Sequence, residues 1–310
     1  LLFKLMRFNV YKNIFEEIDV NPEKLAVVGS NGELTWDEFY KRVQIAVKLI
    51  SNLKIPAGHP IIIFGHKEVN YMVWEVACTI SDTPFIPFDS IYPLKRLNTI
   101  IEETQSQVLV NLSNQKIKAQ NAIEISDTFE VIENQPANFE SSVYGDSTDP
   151  LMYMIFTSGS TGTPKGVMVN HSNYCELIRW MESDYGFSSS DVFMNQAVFS
   201  FDLSLFDCFF ALHVGGTLLT IDRDLAKDYD QFLLHLKKYN CSIWTSTPST
   251  AFIYFQSELF TSKKLPSLKT FLFIGEALPD KTIGAIEKRF ESSIAYNAYG
   301  PTETCVATTI

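Results

Sequence analysis

The chain has 310 residues, 46% hydrophobic and 20% charged, an ordinary globular balance long enough for one large core or two medium ones. Its 36 acidic against 25 basic residues leave a net charge of −11, which argues against a nucleic-acid or anionic-lipid partner, and no block of Lys and Arg breaks the trend. No apolar run approaches the roughly 20 residues of a membrane span, so no membrane insertion is expected. Segments of helical period alternate with short β-branched runs, the pattern of an α/β fold. Thr35 and Glu38 form a capping-box pattern ahead of a helix carrying Val43, Ala46, Val47 and Ile50. Residues 60–64 read as a buried strand, 71–80 as an apolar helix, 84–88 as a second strand, 95–103 as helix and 107–111 as strand. The polar stretch from Glu133 to Pro150 lacks periodicity and is the expected linker. Strands then follow at 152–156, 241–245 and 268–273, with helices between the last ones.

The strand at 152–156 runs straight into Thr157-Ser158-Gly159-Ser160-Thr161-Gly162-Thr163-Pro164-Lys165-Gly166. Its glycines let the backbone bend close to an anion, its hydroxyls can donate hydrogen bonds, and Lys165 supplies charge. Such a composition alone would suit a solvated turn; a strand, a glycine-rich loop and a lysine in succession point to phosphate. It is not the Walker pattern, because Pro164 precedes Lys165 and Gly166 follows it.

This string resembles the signature loop of the adenylate-forming superfamily, which holds acyl-CoA ligases, luciferases and peptide-synthetase adenylation domains. Further strings fall in family order: Pro84 to Pro93, the FSFDLSLFD run at 199–207, Gly275-Glu276-Ala277-Leu278 and Asn297-Ala298-Tyr299-Gly300-Pro301-Thr302-Glu303-Thr304. In detail (GHKEVNYMVW, STPS, TFLFIGEALP, AYGPTETCVA) the chain is most similar to D-alanine–carrier-protein ligases, then to stand-alone amino-acid adenylation domains.

The resemblance implies a layered αβαβα core and ATP-dependent formation of an acyl-adenylate, followed by transfer to the phosphopantetheine thiol of a carrier protein. It implies an incomplete N-terminal core, a first α/β part over about 1–150 and a loop-and-pocket part over 151–310. The family's ribose-binding aspartate and C-terminal lid are expected beyond Ile310. Catalysis by positioning and charge neutralisation is expected to fall to Lys165, Thr302 and Glu303. Glu303 matches the family's Mg²⁺ ligand, a hard oxygen donor. ATP is expected against Thr157, Ser158, Gly159, Ser160, Thr161, Gly162 and Lys165 on the phosphate side. The adenine side is expected to use Gly275, Glu276, Asn297, Ala298, Tyr299 and Gly300, with Thr302 at the α-phosphate. Taken alone, Glu303 would be a surface carboxylate and Tyr299 a core aromatic.

Asp202 matches the position that pairs with a substrate ammonium in amino-acid-activating members; its other reading is a helix N-cap. The pocket walls implied are Leu203, Phe206, Ser246, Leu272, Ile274, Ala298, Val306 and Ala307. They are nearly all apolar, and the bulk of Phe206 and Ile274 suits a small side chain such as that of alanine. Here the chain departs from the D-alanine ligases, which carry cysteine in place of Ile274 and methionine in place of Phe206, so handedness stays open. An acyl- or aryl-CoA ligase and a non-catalytic nucleotide-binding module are the alternatives. His59, His66, His171, His213 and His235 lack metal-ligand spacing, and Ser200 and Ser204 lack a hydrolase elbow. The cysteines (Cys78, Cys175, Cys208, Cys241, Cys305) form no CxxC and fit reduced thiols in a cytoplasmic protein.

Overall fold

A computed structural model describes residues 18–117, 122–133, 148–157 and 164–310. The first elements are β1 (Leu25–Gly29), β2 (Gly32–Thr35), α1 (Trp36–Leu53), β3 (Ile61–Gly65), α2 (Asn70–Ile80), β4 (Phe85–Asp89) and α3 (Leu94–Thr104). Then come β5 (Val108–Asn111), β6 (Ile123–Ser126), β7 (Val131–Glu133), β8 (Leu151–Thr157), β9 (Lys165–Asn170) and α4 (His171–Tyr185). The rest are β10 (Val192–Asn195), α5 (Asp202–His213), β11 (Thr217–Thr220), α6 (Arg223–Lys227), α7 (Tyr229–Lys238), β12 (Ile243–Ser246), α8 (Pro248–Phe255), β13 (Thr270–Ile274), α9 (Asp280–Arg289) and β14 (Ile294–Ala298).

Two sheets form, in the orders β7-β6-β5-β3-β4-β8-β9 and β14-β13-β12-β10-β11-β1-β2. Both are parallel in the middle, with antiparallel pairs β6–β7, β8–β9 and β1–β2 at the margins. Parallel strands covered on both faces read as continuous apolar runs, which is why Ile61-Ile62-Ile63-Phe64 is wholly buried. Alternate residues serve different layers. Ile61 and Ile63 join a core shared with Trp36, Trp74, Tyr174 and Phe209, whereas Ile62 and Phe64 pack with Leu97 and Ile100 of α3. In the second sheet Leu272 and Ile274 face the shared core, while Phe271 and Phe273 join Phe232, Tyr254 and Phe290 outside. Helices α1, α2, α4 and α5 therefore fill the space between the sheets, α3 covers one outer face and α7, α8 and α9 the other. This is the expected αβαβα layering. Each fully buried aliphatic side chain contributes about 1.5–3 kcal/mol to it.

Helix α1 starts as its sequence implies: Glu38 N donates to Thr35 Oγ1 at 3.2 Å, and Thr35 N donates to Glu38 Oε2 at 2.9 Å. The strands and helices anticipated between 60 and 111, and at 152–156, 241–245 and 268–273, all form, with ends displaced by a residue or two. Residues 134–147 of the expected linker lie outside the described residues. The division expected near residue 150 does not separate the sheets. β8 and β9 complete the first sheet beside β4, and β1 and β2 edge the second beside β11. The reason is an otherwise unpaired edge: Leu218 and Leu219 of β11 find their partners in Val27 and Val28. Lys24 secures this by donating to the carbonyls of Ser189 and Gly215. Among the described residues no helix is long and apolar enough to cross a membrane. All five cysteines are buried and none is in a disulfide.

Candidate functional site

Because β10, β12, β13 and β14 run parallel, their carboxyl ends open on one side, where open α/β sheets bind ligands. A cavity of about 480 Å³ lies there. Its walls come from the strand ends (Ser246 closing β12, Ile274 closing β13 and Gly275 after it), from Asp202 and Leu203 at the start of α5, and from Gly300 and Val306. Ile274 shares its face with Leu272, but only Ile274 is far enough along β13 to reach the cavity; Leu272 packs one level deeper. Phe206 and Ala298, also expected as walls, are buried in the shared core behind the cavity lining, and Ala307 lines a different cavity. The Ser246 hydroxyl is already engaged, accepting from Trp244 Nε1 at 2.7 Å and donating to the Thr247 carbonyl at 3.0 Å. The wall it belongs to therefore behaves as apolar.

Asp202 is the first residue of α5, and the cap position before it is Phe201, which makes no side-chain cap bond. The capping role is thus not Asp202's. Burial raises the Asp202 carboxyl above the ordinary aspartate value, against hydrogen bonds from the Thr302 hydroxyl and from the backbone at 203 and 202, while Glu303 adds a like charge. None of these interactions is with a cation. Among the described residues no ion pair to this half-buried carboxylate is seen, so it stands on the rim of the cavity able to pair with a cation.

The expected phosphate loop lies in sequence between β8 and β9. Thr157 pairs with Lys165 across the hairpin, so both ends of the loop are fixed, while Ser158, Gly159, Ser160, Thr161 and Gly162 lie outside the described residues. Lys165 is exposed, and β9 packs against the 3-10 turn Thr302–Thr304. Glu303 is exposed and borders a separate cavity of about 440 Å³ between β9, α4 and that turn. The hairpin and the Thr302–Glu303 turn thus share one side of the molecule.

The expected adenine side is built on adjacent strands. Phe273 pairs with Asn297 and Ile274 with Ala298, so the ends of β13 and β14 lie side by side. Gly275 has φ 93°, a left-handed turn that ends β13 and favours glycine. Tyr299 keeps 68% of its surface exposed, leaving a ring face available. Glu276 is engaged: its carboxylate accepts from Ser249 N at 3.0 Å and from the Ser249 hydroxyl, holding the first turn of α8. Its expected place against ATP competes with that bond.

Several features escaped the sequence. The segment Gln196 to Val198, with Phe201, Thr247 and Thr250, also lines the cavity. The signal available was position: Asn195-Gln196-Ala197-Val198 ends one strand and STPS follows another. His66, which lacks metal-ligand spacing, has its Nδ1 2.8 Å from Asp89 Oδ2 while its Nε2 accepts from Arg223 N at 3.1 Å, joining the two sheets' loops.

Compared with known proteins, the chain is 34% identical over 294 residues to a D-alanine–D-alanyl carrier protein ligase of Bacillus licheniformis. It is 32% identical over 293 residues to the protein of that name in Bacillus cytotoxicus. These alignments cover 93% of this chain but 57% and 58% of those relatives, so the chain spans somewhat over half their length. Among solved structures, CmiS6 superposes with a TM-score of 0.84 at 20% identity, covering 97% of this chain and 73% of that one. The nonribosomal peptide synthetase FmoA3 gives 0.82 at 19%, covering 96% and 32%. The family described as AMP-binding enzyme matches residues 14–310, which takes in both sheets, the β8–β9 hairpin and the strand-end cavity. With its fold and nearly all its length accounted for by that match, the chain belongs to the AMP-binding enzyme family.

Proposed function

We propose that the intact protein uses ATP to activate a small amino acid, alanine-like in size, as its aminoacyl-AMP with release of pyrophosphate. It then passes the aminoacyl group to the phosphopantetheine thiol of a carrier protein. The observation that carries this reading is Asp202, a hydrogen-bonded carboxylate on the rim of an apolar cavity, with no counter-ion among the described residues. An acyl or aryl acid brings no cation to meet it; an amino acid does. The apolar walls Leu203, Ile274 and Val306 favour an uncharged side chain. The names of the Bacillus relatives agree with alanine and a carrier protein.

In this reading Lys165 and the loop from Thr157 to Gly162 hold the leaving phosphates, Tyr299 and Asn297 flank adenine, and the Thr302 hydroxyl turns its proton from Asp202 to the α-phosphate once the ammonium has taken its place. Glu303 would hold Mg²⁺. Among the described residues no three acidic, His or Cys side chains gather as a ligand set. One exposed carboxylate nevertheless fits Mg²⁺, which keeps several waters and takes its remaining oxygens from substrate phosphates. When bound, the ion would neutralise charge on the departing pyrophosphate. A thioester-forming enzyme fed by cellular ATP fits a cytoplasmic location.

Amino-acid-dependent ATP–pyrophosphate exchange by the intact protein tests this. Exchange is expected with D-alanine, L-alanine or glycine and not with acetate or benzoate. Exchange with acetate or benzoate alone would assign an acyl- or aryl-activating enzyme instead. ATP binding without exchange on any acid would leave only a nucleotide-binding module.

A further inference from the structure

Lys67, in the loop between β3 and α2, has no exposed surface, and none of the roles above uses it. Its ammonium donates to Asn195 Oδ1 and, at 2.5 Å, to the Ala197 carbonyl, and lies 3.9 Å from the centre of the Phe199 ring. Asn195 in turn donates from Nδ2 to Asp207 Oδ1 at 2.9 Å. Burial pushes the ammonium down, and Cys208, Asp207, Asp89 and Glu75 counter it. The backbone of Lys67 is held separately, its carbonyl accepting from Ser30 N at 2.8 Å and from Thr220 Oγ1 at 3.3 Å. A side chain rooted in the first sheet therefore crosses to the second and grips the strand end that leads to Asp202.

The ends of the gripped segment are also held, Asn195 by strand pairing and Phe199 by stacking on Tyr71 with ring centres 4.2 Å apart, and Gln196 donates to the Tyr254 hydroxyl at 2.9 Å, but its middle stands between two cavities. Gln196 and Val198 line the cavity beside Asp202 on one side and a neighbouring cavity of about 500 Å³ on the other. A wall with open space on both faces lacks the close packing that fixes most core segments. Stability is a weak reason for a buried lysine, because well-packed apolar replacements of buried charge networks are often neutral or stabilising. We propose that Lys67 is a positioning residue for the amino-acid pocket: its ammonium fixes the 195–199 wall, and through it the placing of the substrate against Asp202. The inference rests on the proposed amino-acid activation for its kinetic consequence, but not for its structural one.

The test compares Lys67→Met with Thr220→Val in the intact protein. Thr220→Val removes the hydroxyl's bonds to the Val28 and Lys67 carbonyls and leaves the ammonium's contacts alone. In pyrophosphate exchange, Lys67→Met is expected to raise the amino-acid KM about tenfold and the ATP KM by less than about twofold. Hydrogen exchange of the Phe201 and Ile221 amides, which donate to the Val198 and Asn195 carbonyls, is expected to accelerate in the same variant. Thr220→Val is expected to do neither. Unchanged exchange at Phe201 and Ile221, or KM shifts that merely follow the loss of melting temperature in both variants, overturns the proposal. Hydrogen exchange needs no catalysis, so a parent inactive with every amino acid would reject the proposed function while still deciding the role of Lys67. Should Lys67→Met fail to fold, Asn195→Ala leaves the Ala197 bond and is expected to give the same pattern at about threefold. A wall as protected in that variant as in the parent would also sink the idea.

Discussion

Asp202 concentrates the chemistry of the pocket in one charge. Asp202→Asn keeps a partner for the Thr302 hydroxyl and removes the anion. The expected result is an amino-acid KM raised by two to three powers of ten, about 3–5 kcal/mol, with the ATP KM nearly unchanged. Equal effects on both KM values would remove the ammonium-binding role. Because burial raises this carboxyl, its protonated form persists to higher pH than that of an exposed aspartate. The amino-acid kcat/KM should therefore fall as pH drops through that raised value, and a pH profile of Asp202→Asn should lack the limb. Ile274 offers a volumetric test. Ile274→Ala removes about two to three methyl-sized groups from the cavity wall, each worth about 0.8 kcal/mol of contact. Exchange with serine or valine should then gain roughly tenfold relative to alanine. A large fall in melting temperature with unaltered substrate ranking would mean that Ile274 serves the core alone. Asp202 and Ile274 were legible in the sequence because each stands within a recognisable string. Lys67 and His66 were not, because their partners lie over a hundred residues away and no local pattern announces them.

Among the elements, α1 and α5 make checkable claims. The capping box at Thr35 satisfies two backbone donors, and Thr35→Ala should cost about 1 kcal/mol in urea unfolding without changing the dependence on denaturant. Unaltered stability would mean that water replaces the cap at no loss. In α5, burial pushes the Asp207 carboxyl up to about 7, against hydrogen bonding from Asn195 and the charge of Lys67. An unfolded aspartate titrates near about 4, so between about 4 and 7 the folded chain keeps a proton that the unfolded chain has lost. The stabilisation is complete below that window and is lost as pH rises through about 7. Asp207→Asn should flatten this decline, and parallel parent and variant curves from pH 5 to 8 would refute it. The strands readable in advance were those buried on both faces, such as β3 and β5, whose composition alone demands an apolar setting. Edge strands β2, β9 and β14 were invisible. Their residues are largely exposed, and pairing with a neighbour is what makes them strands.

At the scale of the molecule, each sheet borrows strands from across the chain. The second sheet needs β1 and β2 at its edge, and the first needs β8 and β9. A chain beginning at residue 150 should therefore expose β11 and aggregate or remain protease-sensitive, whereas one beginning at residue 18 should stay folded. Cooperative unfolding of the 150–310 piece alone would show that the two halves are independent. No sequence pattern could reveal this interleaving, because hydrophobic period reports which face is covered and not which strand covers it. The left-handed corner at Cys305 (φ 63°) and Val306 (φ 71°) carries a further consequence. A side chain on Gly300 would bring its Cβ to 2.5 Å from Ala307 Cα and 2.7 Å from the Val306 carbonyl oxygen. Glycine and corner are thus heritable only as a pair, and neither can drift while the other stays. A lineage adapting to a bulkier acid would have to vary the ends of β12 and β13, where a side chain can change without unseating the backbone opposite.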